Sequence, residues 1–118
     1  MYRIAKQFHF SASHIIAGLP DTHKCSRLHG HNYIVELVLE SETLNEFGFI
    51  VDYHDLKPCK EIIVNELDHR HLNDVLPGPT SAEAIAKYLY LKARAMWPQV
   101  YKVRVSETGR TWAEYFHD

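Results

Sequence analysis

The sequence predicts one α+β domain: a four-stranded antiparallel sheet with two helices on one face, in the order ββααββ. Three observations carry this. Residues 2–14, 29–41 and 100–107 alternate apolar and polar side chains with the period of two of a half-buried strand. Residues 55–67 and 81–97 space their apolar side chains as helices do. Both helical segments lie between the strand pairs, so they can cover the same face of the sheet.

In the first strand Tyr2, Ile4, Phe8, Phe10 and Ala12 share one parity, and His14 continues it. Residues 15–28 form a loop with Gly18, Pro20 and Asp21, ending in the polar cluster His23, Lys24, Cys25, Ser26 and Arg27. In the second strand Tyr33, Val35, Leu37 and Leu39 fall on the face that carries His29 and His31. Residues 42–48 read as a turn and 49–52 as a short extended piece. The first helix places Leu56, Cys59, Ile62, Ile63 and Leu67 on one stripe; Asp55 can cap it, and Pro58 fits in its first turn. The second aligns Ala82, Ile85, Ala86, Leu89, Ala93 and Met96. Thr80 and Glu83 have capping-box spacing, and Pro98 stops the helix. Tyr101, Val103 and Val105 then share a face. After the turn at Thr108, Gly109 and Arg110, residues 111–116 return as a hairpin partner.

Composition narrows the functional classes. The 118 residues fit a single domain spanning 1–118. A net charge of −2 points away from nucleic acid and anionic membrane as partners, so any anionic ligand needs a local cluster of cations. No apolar run approaches the ~20 residues of a membrane-spanning helix. The first residues lack the apolar stretch of a signal peptide. Two cysteines are too few for a disulfide framework, and the expected compartment is a reducing cytoplasm. Nine histidines are the outlier.

Those histidines concentrate the chemistry. On an extended strand His29 and His31 set two imidazoles side by side, and Gly30 between them lets another group approach. His14 supplies a third imidazole from the neighbouring strand. Three histidines without a fourth protein ligand fit an open metal site, for which zinc is the natural occupant. Scattered surface histidines are the bland alternative; the apolar-face position of His14 and the nearby Cys25 weigh against it. Cys25 lies between Lys24 and Arg27, whose cations favour thiolate. Cys59, on a helix's apolar stripe, reads as inert core. Asp68 beside His69 is either an acid–base pair with an oriented imidazole or a histidine complementing a helix terminus. Glu107 continues the parity of Val103 and Val105. It therefore points inward toward a ligand with several N–H donors, unless the strand ends at Ser106 and leaves it solvated.

With these residues assembled, the chain resembles the 6-pyruvoyltetrahydropterin synthase superfamily nearly end to end. The shared motifs are Phe8 to His14, Cys25 to His31, Phe49 to Lys57, Leu67 to Asn73, Ser81 to Glu83, and Glu107. Three residues between Cys25 and His29 resemble the bacterial and archaeal 6-carboxy-5,6,7,8-tetrahydropterin synthases of the queuosine pathway. Animal-type 6-pyruvoyl enzymes have a longer spacer, and a folate-associated subgroup has glutamate where this chain has Cys25.

The resemblance implies the tunnelling fold, with three subunits closing their sheets into a barrel and two trimers stacking into a homohexamer. It implies zinc on His14, His29 and His31, Cys25 as the base-like thiol, and Asp68 with His69 as a coupled acid–base pair. These groups would meet between subunits. Glu107 becomes the pterin anchor, and Ser81 stands where the family has a threonine near the pterin. The implied substrate is 7,8-dihydroneopterin triphosphate, with Lys24, Arg27, His9 and His23 as candidates for its phosphates. The rival readings are a 6-pyruvoyl-type triphosphate elimination and a non-catalytic zinc or pterin-binding module. A module of that kind would lack Cys25, Asp68 or His69, and this chain has all three. Residues 108–112 follow no family pattern.

Overall fold

The computed structural model describes residues 1–117. Its sheet contains β1 (Tyr2–His14), β2 (His29–Ser41), β3 (Val100–Ser106) and β4 (Ala113–Phe116), antiparallel in that order. Two helices, α1 (Lys57–Ile62) and α2 (Ala82–Met96), come between β2 and β3 in the chain. The predicted ββααββ order is therefore the observed one. No helix among the described residues is long and apolar enough to cross a membrane.

β1 and β2 pair along their whole length, from Tyr2 opposite Ser41 to His14 opposite His29. Their period of two sends Phe8, Phe10, Ala12, Tyr33, Val35, Leu37 and Leu39 into one core under the helices. The opposite face carries a charged network. There Glu36 accepts from Gln7 and Arg104, and Glu114 pairs with Arg104 and Lys102.

One predicted face is corrected. A bulge opposite Val38 and Leu39 sets Leu39 against Val100, so Val100, Val103 and Val105 line the core. Tyr101 turns to the other side, where its ring stacks on Phe116 and lies 5.2 Å from the Arg3 guanidinium carbon. The extra residue of a bulge reverses the parity of what precedes it.

The helices also begin and end differently from expectation. The chain enters α1 through a 3-10 turn, Tyr53–Leu56, and Asp52 rather than Asp55 caps it, accepting from the His54 N–H at 2.9 Å. Residues 49–52 lie outside the sheet, with bends at Ile50 and Val51 and Ile50 buried. α1 runs into a π-turn, Ile63–Leu67, in which the Asp68 N–H reaches back to the Ile63 carbonyl at 2.8 Å. Ser81, not Thr80, caps α2, accepting from the Ala84 N–H at 3.2 Å. At its other end Trp97 is buried and Met96 is exposed.

Leu67 is fully buried at the end of the π-turn, one residue before Asp68. Leu67→Ala is expected to cost about 3 kcal/mol in urea unfolding, as a core leucine truncation does. A loss under about 1 kcal/mol would show that this turn is not anchored by the core.

Candidate active site

The last pairs of the β1–β2 ladder set His14 opposite His29 and Ala12 opposite His31. All three imidazoles consequently emerge on the helix-covered face, with ligand nitrogens within 4.8 Å of one another. Two backbone carbonyls set the tautomers. The Thr80 carbonyl accepts from His14 Nδ1 at 2.8 Å, and the Arg27 carbonyl accepts from His29 Nδ1 at 2.7 Å. A carbonyl can only accept, so the proton sits on Nδ1 and leaves the Nε2 lone pair free.

The Nε2 atoms of His14, His29 and His31 are all buried without a hydrogen-bond partner. Orphaned ring nitrogens converging on one space are costly in a core and natural at a metal centre. Burial, opposed by the Thr80 hydrogen bond and aided by the neighbouring imidazoles, holds His14 below the usual histidine pKa, in its ligating form. Gly30 has a structural reason: a Cβ there would lie 3.1 Å from the Ala12 carbonyl oxygen. The group that approaches it is the backbone of β1.

β3 ends at Ser106, yet Glu107 still faces inward. Its Oε2 lies 2.7 Å from His31 Nε2 and 3.8 Å from His14 Nε2, and the side chain is 28% exposed. The shorter approach is not directed as a hydrogen bond, which leaves the carboxylate able to accept from a ligand entering beside the cluster. Behind the cluster, the buried Tyr33 hydroxyl has no partner, and its ring lies 5.4 Å from that of His31. Burial, followed by the Glu107 charge, raises the Tyr33 phenol pKa.

The π-turn delivers Asp68 and His69 to the open edge of β1. Asp68 Oδ1 accepts from the Ser11 N–H at 2.9 Å and lies 3.0 Å from His69 Nδ1. The first contact, then the second, keeps the carboxyl below the usual aspartate pKa. His69 adopts a left-handed φ of 58°, fixed by its N–H donating to the Ser11 carbonyl at 2.6 Å. Its ring is 82% exposed. It lines a surface cavity with Ser11, Ser13, Asn32, Arg70 and His71.

Cys25 lies in a 3-10 turn, Lys24–Ser26, and is half-buried. Its N–H donates to His23 Nδ1 at 3.0 Å, and its carbonyl accepts from the Ile16 N–H at 2.9 Å. That second bond folds the loop back against the end of β1. Lys24, Arg27, His9 and His23 are exposed, and Ser81 Oγ is engaged as the cap of α2. Cys59 is buried with its thiol pushed up to about 12, which fits inert core.

A family model for 6-pyruvoyl tetrahydropterin synthase matches residues 3–118. The chain belongs to this family. It is 39% identical to 6-carboxy-5,6,7,8-tetrahydropterin synthase of Synechocystis sp., over 98% of this chain and 94% of the relative. It is 32% identical to dihydroneopterin monophosphate aldolase of Pyrococcus furiosus, over 86% of this chain and 83% of that one. The structure of Caenorhabditis elegans 6-pyruvoyl tetrahydropterin synthase superposes with a TM-score of 0.86 at 25% identity, covering 99% of this chain and 96% of that one. The tunnelling fold of the family is thus the observed fold.

Sequence reading named the three histidines and the inward Glu107. It did not find the contacts of the Thr80 and Arg27 carbonyls to the histidine rings, because any residue has a main-chain carbonyl. Nor did it single out the Tyr33 hydroxyl, although Tyr33 continues the parity of His29 and His31.

Protons compete with a metal for the ring nitrogens of the cluster. Binding of a divalent ion, followed by calorimetric titration, is expected to hold at neutral pH. It should weaken as the pH falls, with His14 giving up its lone pair only below the ordinary histidine range. His14→Ala should abolish stoichiometric binding at every pH, and retention of full affinity by that variant would exclude the cluster as the site.

Proposed function

We propose that the protein is a zinc-dependent 6-carboxy-5,6,7,8-tetrahydropterin synthase acting in the cytoplasm in queuosine biosynthesis. It converts 7,8-dihydroneopterin triphosphate to 6-carboxy-tetrahydropterin, acetaldehyde and triphosphate. The observation that carries this reading is the convergence of three buried Nε2 atoms without hydrogen-bond partners beside an inward carboxylate, Glu107. Similarity to synthases of that name over almost the whole chain supports it. A ligand set made only of imidazoles suits zinc.

Each residue then has a defined task. Glu107 accepts from the 2-amino group and ring N–H of the pterin, the paired donors that a carboxylate matches. Zinc, held by His14, His29 and His31, supplies Lewis acidity toward the oxygens of the side chain. Cys25, as thiolate, removes a proton from the side-chain carbon. Asp68 takes the Nδ1–H of His69, which leaves Nε2 as the atom that moves protons. Lys24 and Arg27 are candidates for holding the phosphates, and Ser81 for a contact to the pterin. The exposure of His69 supports a homohexamer in which it completes a neighbouring subunit's site.

The aldolase relative favours one second reading. A retro-aldol cleavage on the same site would release a hydroxylated two-carbon aldehyde still carrying phosphate, without eliminating triphosphate.

Zinc-loaded protein incubated with 7,8-dihydroneopterin triphosphate is expected to release acetaldehyde together with 6-carboxy-tetrahydropterin. Cys25→Ala should lower that rate roughly a thousandfold, the scale of a lost proton-transfer group. A phosphorylated aldehyde would assign the aldolase reaction. Triphosphate without a two-carbon fragment would assign 6-pyruvoyl chemistry, and no turnover would leave a binding module.

A further inference from the structure

His14 occupies an exacting position: it is a ligand on the last residue of a strand, where the ladder to β2 ends. Its strand is also an edge strand, with only β2 beside it in the sheet. Ends and edges fray unless they are tied. The open edge of β1 is tied here residue by residue. Ser11 exchanges bonds with Asp68 and His69, and the Ser13 N–H donates to the Arg70 carbonyl at 3.1 Å. Ser13 also bridges to His71 as a parallel partner.

At Ile15, directly after His14, side chains replace that backbone ladder. Asn73 Oδ1 accepts from the Ile15 N–H at 2.9 Å, and Asn73 Nδ2 donates to the Ile15 carbonyl at 2.8 Å. One side-chain amide thus satisfies the donor and the acceptor of one residue, as a paired strand would. Thr80 Oγ1 donates to the same Ile15 carbonyl at 3.2 Å. The Thr80 carbonyl takes the ring proton of His14. Thr80 is 1% exposed, and a buried hydroxyl is costly unless it is bonded. Its ties hold His14 from both ends, one at the ring and one at the following peptide.

We propose that Thr80 and Asn73 are positioning residues for His14, holding its Nε2 in register with those of His29 and His31 by clamping the Ile15 peptide. The proposal rests on the reading of the histidine cluster as a metal centre. Thr80 is the buried half of this clamp and Asn73 the exposed half. Metal sites tolerate errors in ligand position of only about 0.2 Å, so a loosened strand end is read out as lost affinity.

The test uses the full chain, stripped of metal and titrated with zinc against a chromophoric chelator, with unfolding followed in parallel. Thr80→Val removes the hydroxyl and nearly keeps the volume, Asn73→Ala removes the amide, and the double variant removes both. Asn45→Ala is the control for a lost loop clamp. Asn45 Oδ1 accepts from the Phe47 and Phe49 N–H groups in the loop after β2, at the end of the β1–β2 pair opposite the histidines.

The double variant is expected to bind zinc about tenfold or more weakly, the scale of a lost outer-shell partner. The two single losses should be non-additive, because both act on one peptide. Thr80→Ser, which keeps the hydroxyl, should bind within about twofold of wild type, and Asn45→Ala should lose stability without losing affinity. If the double variant does not fold, Thr80→Val against Thr80→Ser gives the same reading. Zinc affinity within twofold of wild type in the double variant, or an equal loss in Asn45→Ala, would overturn the proposal. A wild-type chain that binds no zinc would overturn the metal reading as well.

Discussion

The antiparallel pairing of β1 with β2 is the constraint on which the rest of the molecule depends. Thirteen pairs run without a bulge from Tyr2 and Ser41 to His14 and His29. A slip of one residue would turn one strand's apolar set to the solvent face and take its histidines with it. The register that buries Phe8, Phe10, Tyr33, Val35 and Leu37 is the same register that gathers the three imidazoles. Core and site are therefore specified by a single choice, and the core's many contacts enforce the geometry of the three histidines.

A second constraint comes from the edge of the sheet. The free edge of β1 near the site is occupied by the segment that follows the π-turn, and that segment carries Asp68 and His69. The left-handed backbone at His69 costs of order 1–3 kcal/mol and persists only where its surroundings impose it. Ser11 imposes it, with its N–H on Asp68 and its carbonyl on the His69 N–H. The bonds that cover an exposed strand edge thus also orient Asp68 and His69. The same alternation along β1 sends His14 to the helix side, three residues beyond the Ser11 peptide on which Asp68 and His69 dock.

Much of this was legible in the sequence because it depends on period. β1 and β2 end where alternation ends, and Glu107 faces inward as the parity of Val103 and Val105 requires. The bulge that turns Tyr101 away was not legible, because a single extra residue leaves no compositional trace. The π-turn was not legible either: the Ile63–Leu67 stripe suits an ordinary helix, and the docking of Asp68 on Ser11 accompanies the wider turn. The caps moved for a related reason. Thr80 and Ser81 are chemically alike as caps, but the Thr80 hydroxyl is engaged with Ile15, which leaves Ser81 to cap α2. Local chemistry allowed both, and tertiary contact chose.

The central claim is that the β1–β2 register builds a three-histidine metal centre. The most direct test is a crystal structure of the zinc-loaded protein with anomalous data at the zinc edge. The account predicts one anomalous peak per chain, about 2.0–2.1 Å from Nε2 of His14, His29 and His31, with Nδ1 of His14 still on the Thr80 carbonyl. A peak coordinated through Cys25 in place of one of the histidines, or no peak at the cluster, would contradict it.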